Sequence, residues 1–73
     1  MKRTTLESKL NKLGIEHKVE QKNKVTQVIA FIVNGKTCEA FLDNFSDNVK
    51  LALVTNNDYS FFKSLDSLIA VTK

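Results

Sequence analysis

The chain has 73 residues and a mass of 8.3 kDa, 42% hydrophobic and 26% charged, which suits one small domain and is too apolar for a disordered segment. Eleven Lys and Arg against eight Asp and Glu leave a net charge of +3, mildly basic and far from a polycation. One Cys, two Gly and no Pro exclude a disulfide framework, a four-cysteine zinc site and a glycine-rich phosphate loop.

The first element in the chain is a short helix. Thr4 and Glu7 have the spacing of a capping box, and Leu6, Leu10 and Leu13 recur at four and three residues. Gly14 suits the left-handed position that ends a helix, with Ile15 free to fold back onto Leu10. These signals predict a helix over residues 5–13. From Ile15 the period becomes two, with Ile15, His17, Val19 and Gln21 on one side of a strand. The polar residues 21–24 suit a hairpin connection. Residues 25–33, dense in Val and Ile, form the strongest strand signal.

Asn34-Gly35 is the preferred pair for a two-residue type I′ turn, because both positions need positive φ. That turn sets Val33 opposite Lys36, Phe31 opposite Cys38 and Ile29 opposite Ala40. On the other side it pairs Ile32 with Thr37, Ala30 with Glu39 and Val28 with Phe41. Residues 43–48 are turn-rich, and residues 49–54 alternate as a fourth strand. Asn56-Asn57-Asp58 offers N-cap candidates for a last helix with Phe61, Phe62, Leu65, Leu68 and Ile69 on its apolar side. Residues 68–72 read equally as the end of that helix or as a further strand. The expected fold class is α+β, in the order α-β-β-β-β-α. It is a four-stranded antiparallel meander with one N-terminal and one C-terminal helix, two-layer, in a single domain over residues 1–73.

One sheet face reads as core: Ile15, Val19, Val25, Ile29, Phe31, Val33, Cys38, Ala40, Leu42, Val49, Leu51 and Leu53. The opposite face carries Val28, Ala30, Ile32, Phe41, Ala52 and Val54 among charged and polar neighbours. A sheet with one solvated face alternates cleanly, whereas the second strand is apolar on both sides. If one helix covers each face, this patch is ordinary core; if both helices share a face, it is an exposed contact surface. The second arrangement is the expectation. Val28, Ile32, Phe41 and Val54 would then make apolar contact, with Lys18, Glu39 and Lys50 setting orientation at the rim. Domains this short retain only about 3–5 kcal/mol of stability, which makes self-association a natural supplement.

Residues able to carry chemistry are few. His17 is the only imidazole and alternates with Ile15 and Val19, as a strand histidine near a sheet margin would. Cys38 falls on the core face opposite Phe31, where a thiol behaves as a small hydrophobe. Asp43, Asp47 and Asp58 stand in turns and a cap, too scattered for a hard-cation loop. No catalytic residue, metal site or cofactor is expected. The longest apolar run, residues 28–33, is far short of the roughly 20 residues that span a bilayer. Residues 4–24 supply no apolar segment for a secretory signal. A cytoplasmic protein without a membrane partner is the expectation.

Charge is uneven. Residues 1–24 hold seven basic and three acidic residues, a net of +4, while residues 25–73 hold four basic and five acidic, a net of −1. Lys2, Arg3, Lys9, Lys12, Lys22 and Lys24 could therefore meet a phosphate backbone. Lys outnumbers Arg, however, which disfavours bidentate base readout. A short helix, three strands and a final helix in a basic chain resemble the double-stranded RNA-binding domain, and Val33-Asn34-Gly35-Lys36 is similar to its hairpin. The basic motif that opens the last helix of that family is absent. Asn57-Asp58-Tyr59-Ser60 stands in its place and a fourth strand intervenes, so the chain is not assigned to the family.

The sequence thus favours a non-enzymatic protein–protein interaction module acting through an apolar sheet face, with another protein or a second copy as partner. Its size and Lys/Asn-rich composition suit a small regulator or inhibitor carried by a mobile element. The alternative is an electrostatic nucleic-acid binder using the basic first third.

Overall fold

The structure is a computed structural model and describes residues 1–43 and 47–73, without the side chain of Asp43. The elements run α1 (Arg3–Lys12), β1 (His17–Gln21), β2 (Thr26–Val33), β3 (Lys36–Asp43), β4 (Val49–Thr55), β5 (Asp58–Phe62) and α2 (Leu65–Thr72). The five strands form one antiparallel sheet in the order β1-β2-β3-β4-β5. Among the described residues the fold is therefore α+β with two helices, but its sheet has five strands where four were expected.

The extra strand has a local cause. Asn56 and Asn57 both adopt positive φ, at 49° and 70°, the backbone of a two-residue hairpin turn. Asn tolerates the left-handed region better than other residues with a Cβ. The pair therefore reverses the chain between Thr55 and Asp58, which stand opposite each other, instead of capping a helix. The helix begins later, at Ser64, whose hydroxyl accepts from the Ser67 N–H at 3.2 Å. Asp66 in the first turn favours the positive end of the helix dipole. Residues 68–72 are helical.

The start of α1 also differs from expectation. Thr4 lies inside the helix, Lys2 occupies the N-cap position without a side-chain cap, and Glu7 pairs with Arg3 at 3.2 Å. Backbone pairing takes over the capping role. Lys2 bridges to Asn48, the Arg3 N–H donates to the Asp47 carbonyl at 2.7 Å, and the Val49 N–H donates to the Met1 carbonyl at 2.8 Å. Docking the first residues along the start of β4 satisfies an orphan helix donor and moves the helix start two residues earlier. The other end is as expected. Gly14 has φ +71°, with its N–H on the Asn11 carbonyl and the Ile15 N–H on the Leu10 carbonyl, the double bond of a Schellman motif. Leu13, counted in the apolar stripe, is exposed at the cap.

Asn34 and Gly35 have φ of 50° and 78°, and the β2–β3 register is the one their turn dictates, from Val33↔Lys36 to Val28↔Phe41. The β1–β2 connection is held by Asn23, whose side-chain oxygen accepts from the N–H groups of Val25 and Thr26 at 2.9 Å each. Of the expected turn over residues 43–48, residues 44–46 lie outside the described residues.

One hydrophobic cluster joins Leu6 and Leu10 of α1 and Leu65 and Leu68 of α2 to the strand residues Ile29, Phe31, Val33, Cys38, Ala40, Leu42, Val49 and Leu51. Ile15, Leu53, Phe62 and Ile69 pack against it half-buried. Every strand residue in the cluster belongs to the same alternation, since residues paired across neighbouring strands share a face. Val19 and Val25, expected in this core, are exposed. Val19 sits on an edge strand and Val25 in the connection before β2, both at the margin of the sheet.

Candidate functional site

The second alternation gathers Lys18 and Glu20 of β1, Val28, Ala30 and Ile32 of β2, Thr37, Glu39 and Phe41 of β3, Lys50, Ala52 and Val54 of β4, and Tyr59 and Phe61 of β5. None of them belongs to the hydrophobic cluster. Ile32 is 62% exposed, Phe61 60% and Tyr59 46%, while Phe41, Ala30 and Val54 are half-buried. Lys18 and Lys50 are exposed at either side.

Three rings organise one half of this face. Phe41 and Tyr59 meet edge to face at 5.4 Å between centroids, Phe41 and Phe61 lie at 6.3 Å, and Tyr59 and Phe61 stack at 6.4 Å. These are favourable aromatic geometries. Phe41 is on β3 and the other two are on β5, so the rings converge across the intervening β4, where Ala52 stands opposite Phe61. Ala52 has no exposed surface. A small residue at that position leaves room for the rings to meet above the strand.

The other half centres on Glu39, flanked by Ala30 on β2 and Ala52 on β4. Glu39 is only 9% exposed and meets the Lys22 ammonium at 3.7 Å. Lys22 bonds through its backbone to Thr26, whereas Glu39 is level with Ala30. Val28 lies between those two levels and has no exposed surface. The two charged side chains thus reach toward each other across the row of Val28, whose strand partners are Glu20 and Phe41. Of the residues expected to make apolar contact, Ile32, Phe41 and Val54 present surface, whereas Val28 is fully buried and presents none. Glu39 sits in the middle of the face, while Lys18 and Lys50 stand at its sides.

Tyr59 and Phe61 are absent from the face that the sequence predicts, because a helix after residues 56–58 takes them off the sheet. The signal was available: Asn56-Asn57 as a turn, followed by Tyr59 and Phe61 alternating with Ser60 and Phe62.

The Cys38 thiol is buried and donates to the Lys36 carbonyl at 3.6 Å. Burial pushes its pKa above the ordinary value of 9.0, against a smaller opposing effect of a backbone hydrogen bond from Val33. His17 is half-buried on edge strand β1, with Nδ1 3.4 Å from the Ile15 carbonyl. It shares the lining of an open cleft with Gly14, Ile15, Glu16, Phe31 and Ile32. No group of three or more His, Cys, Asp or Glu side chains that could hold a metal occurs among the described residues.

The basic residues are partly committed to the chain itself. Arg3 pairs with Glu7 and donates to Gln27 at 3.3 Å, and Lys22 pairs with Glu39. Lys9 and Lys12 stand in the last turn of α1 and Lys2 at its N-cap. Lys24 lies in the β1–β2 connection and also has an interaction within the chain. No helix among the described residues is long and apolar enough to cross a membrane. No protein-family model, curated protein or solved structure matches this chain.

Proposed function

We propose that the chain is a non-enzymatic protein–protein interaction module of two layers, with both helices over one side of the sheet and the other side as its contact surface. The observation that carries this reading is the division of the sheet. The leucines of both helices share one cluster with a single alternation of the strands, while the other alternation exposes Ile32, Tyr59 and Phe61. Burying a large apolar side chain is worth roughly 1.5–3 kcal/mol, so a partner that covers these three gains most of its affinity there. Aromatic anchors surrounded by charged residues such as Lys18 and Lys50 are the usual anatomy of a protein contact. A partner protein held in this way would make the chain a small regulator or inhibitor.

The buried, protonated Cys38 thiol and the lone His17 at a sheet margin support a role without catalysis. Nucleic-acid binding through Lys2, Arg3, Lys9, Lys12, Lys22 and Lys24 has weaker support, because Arg3 and Lys22 already face carboxylates.

Capture from the native host with the chain as bait, with and without nuclease, tests the proposal. One protein recovered in near-equal amount, insensitive to nuclease and lost when the bait carries Ile32→Lys, is the expected result. Recovery through nucleic acid alone, weakening steeply with salt as counterion release requires, would overturn it.

A further inference from the structure

The sheet has two edges of different character. β1 carries Lys18 and Glu20, the kind of charges with which native edge strands discourage pairing. β5 has no charged residue between Asp58 and Lys63, only Tyr59, Ser60, Phe61 and Phe62. It has no proline, and two of its side chains are large and more than two-fifths exposed.

The outward backbone groups of β5 make no bond to another backbone group among the described residues, and their direction follows from the hairpin. A two-residue turn at Asn56-Asn57 makes Thr55 and Asp58 the hydrogen-bonded pair that closes it. Alternation then turns the N–H and C=O groups of Ser60 and Phe62 toward Leu53 and Leu51, and those of Tyr59 and Phe61 away from the sheet.

We propose that a second copy of this chain adds its own β5 antiparallel to this edge, about a two-fold axis at Ser60. That register sets Tyr59 of each copy opposite Phe61 of the other, and each such pair exchanges both N–H···O=C bonds. Ser60 meets Ser60 at the axis as the non-hydrogen-bonded pair. A shift of two residues either way leaves a single hydrogen-bonded pair, Tyr59 on Tyr59 or Phe61 on Phe61, so the centred register is the most complete. It also brings Tyr59 and Phe61 into cross-strand aromatic pairs, which stabilise sheets, and extends the cluster of Phe41, Tyr59 and Phe61 across the dimer. The short run of outward groups is self-complementary, as an isologous contact requires. A contact between five-residue strands is short, so the association is expected to be weak and to need high concentration. This contact uses the edge of the sheet and does not rest on its face being a contact surface.

Sedimentation across a concentration series reads the outcome. The native chain is expected to pass from monomer to dimer. Ser60→Lys, which sets two ammonium groups against each other at the axis while retaining the bonds to β4, is expected to stay monomeric with an unchanged circular dichroism spectrum. Ser60→Cys is expected to form an intermolecular disulfide under mild oxidation, because a non-hydrogen-bonded antiparallel pair has a suitable Cα separation. A native chain that remains monomeric at millimolar concentration would overturn the proposal, as would a dimer that survives Ser60→Lys. Cross-linking through Val19→Cys in place of Ser60→Cys would assign the contact to the opposite edge. Loss of the dimer in Ile32→Lys but not in Ser60→Lys would assign it to the sheet face. Either result would also refute the edge proposal.

Discussion

The side-chain amide of Asn34 donates a 3.0 Å hydrogen bond to the hydroxyl of Thr72, fastening the β2–β3 turn to the last turn of α2. Thr72 in turn donates to the Ile69 carbonyl at 2.7 Å and is nearly buried. The turn residue therefore has two separable roles, one in its backbone and one in its side chain. Asn34→Gly keeps the positive φ and removes only the tether, and is expected to cost about 1 kcal/mol in urea unfolding. Asn34→Ala loses the tether and also strains the backbone, and is expected to cost roughly 1 kcal/mol more. Equal losses in the two variants would contradict this division.

The fifth strand makes a similar prediction at Asn57. With φ at 70° in a hairpin turn, Asn57→Gly is expected to be neutral or stabilising, and Asn57→Ala to destabilise by about 1 kcal/mol. Were residues 56–58 the cap of a helix, the ordering of Gly and Ala would not depend on a left-handed backbone. Thermal unfolding of the two variants distinguishes the cases.

Much of the fold was legible where the chain uses residues with one strong local preference. Asn34-Gly35 determined a register of eight residue pairs, and Gly14 marked the end of α1, because few residues other than Gly and Asn accept positive φ cheaply. Where a residue type has two uses, the reading failed. Asn serves both as an N-cap and in left-handed turns, and the run at residues 56–58 was assigned the wrong one. That error carried Tyr59 and Phe61 off the sheet, although both are among its most exposed apolar residues. The capping box at Thr4 failed for a different reason. The backbone of residues 1–3 pairs with residues 47–49, a contact distant in sequence that no local motif encodes. The position of Glu39 was likewise hidden. Alternation puts it on the right face, but its ion-pair partner, Lys22, reaches across from a strand connection.

Cys38 gives a pH dependence with a definite sign. Its thiol is neutral when protonated, and burial raises its pKa in the folded chain above the ordinary 9.0. Below 9 both states keep the proton and the thiol contributes no pH dependence. As pH rises above 9 the unfolded chain ionises first, which favours unfolding, so the folded state loses stability until the folded pKa is passed. Urea midpoints of the native chain are therefore expected to fall more steeply above pH 9 than those of Cys38→Ala, which carries the same lysines and tyrosine. Parallel curves would contradict a protonated, buried thiol. In the folded state at neutral pH, alkylation of Cys38 is expected to be limited by the rate of opening.

The role assigned to the sheet face is tested most directly by the affinity of the captured partner for two variants of the chain. A contact built on Ile32, Tyr59 and Phe61 predicts that Ile32→Lys weakens binding about 30-fold or more, as loss of an exposed apolar anchor does. Replacing Lys9 and Lys12 of α1 by Glu should leave affinity within about 3-fold, as expected for charges outside the contact. The reverse pattern, full affinity in Ile32→Lys and loss in the α1 variant, would contradict it.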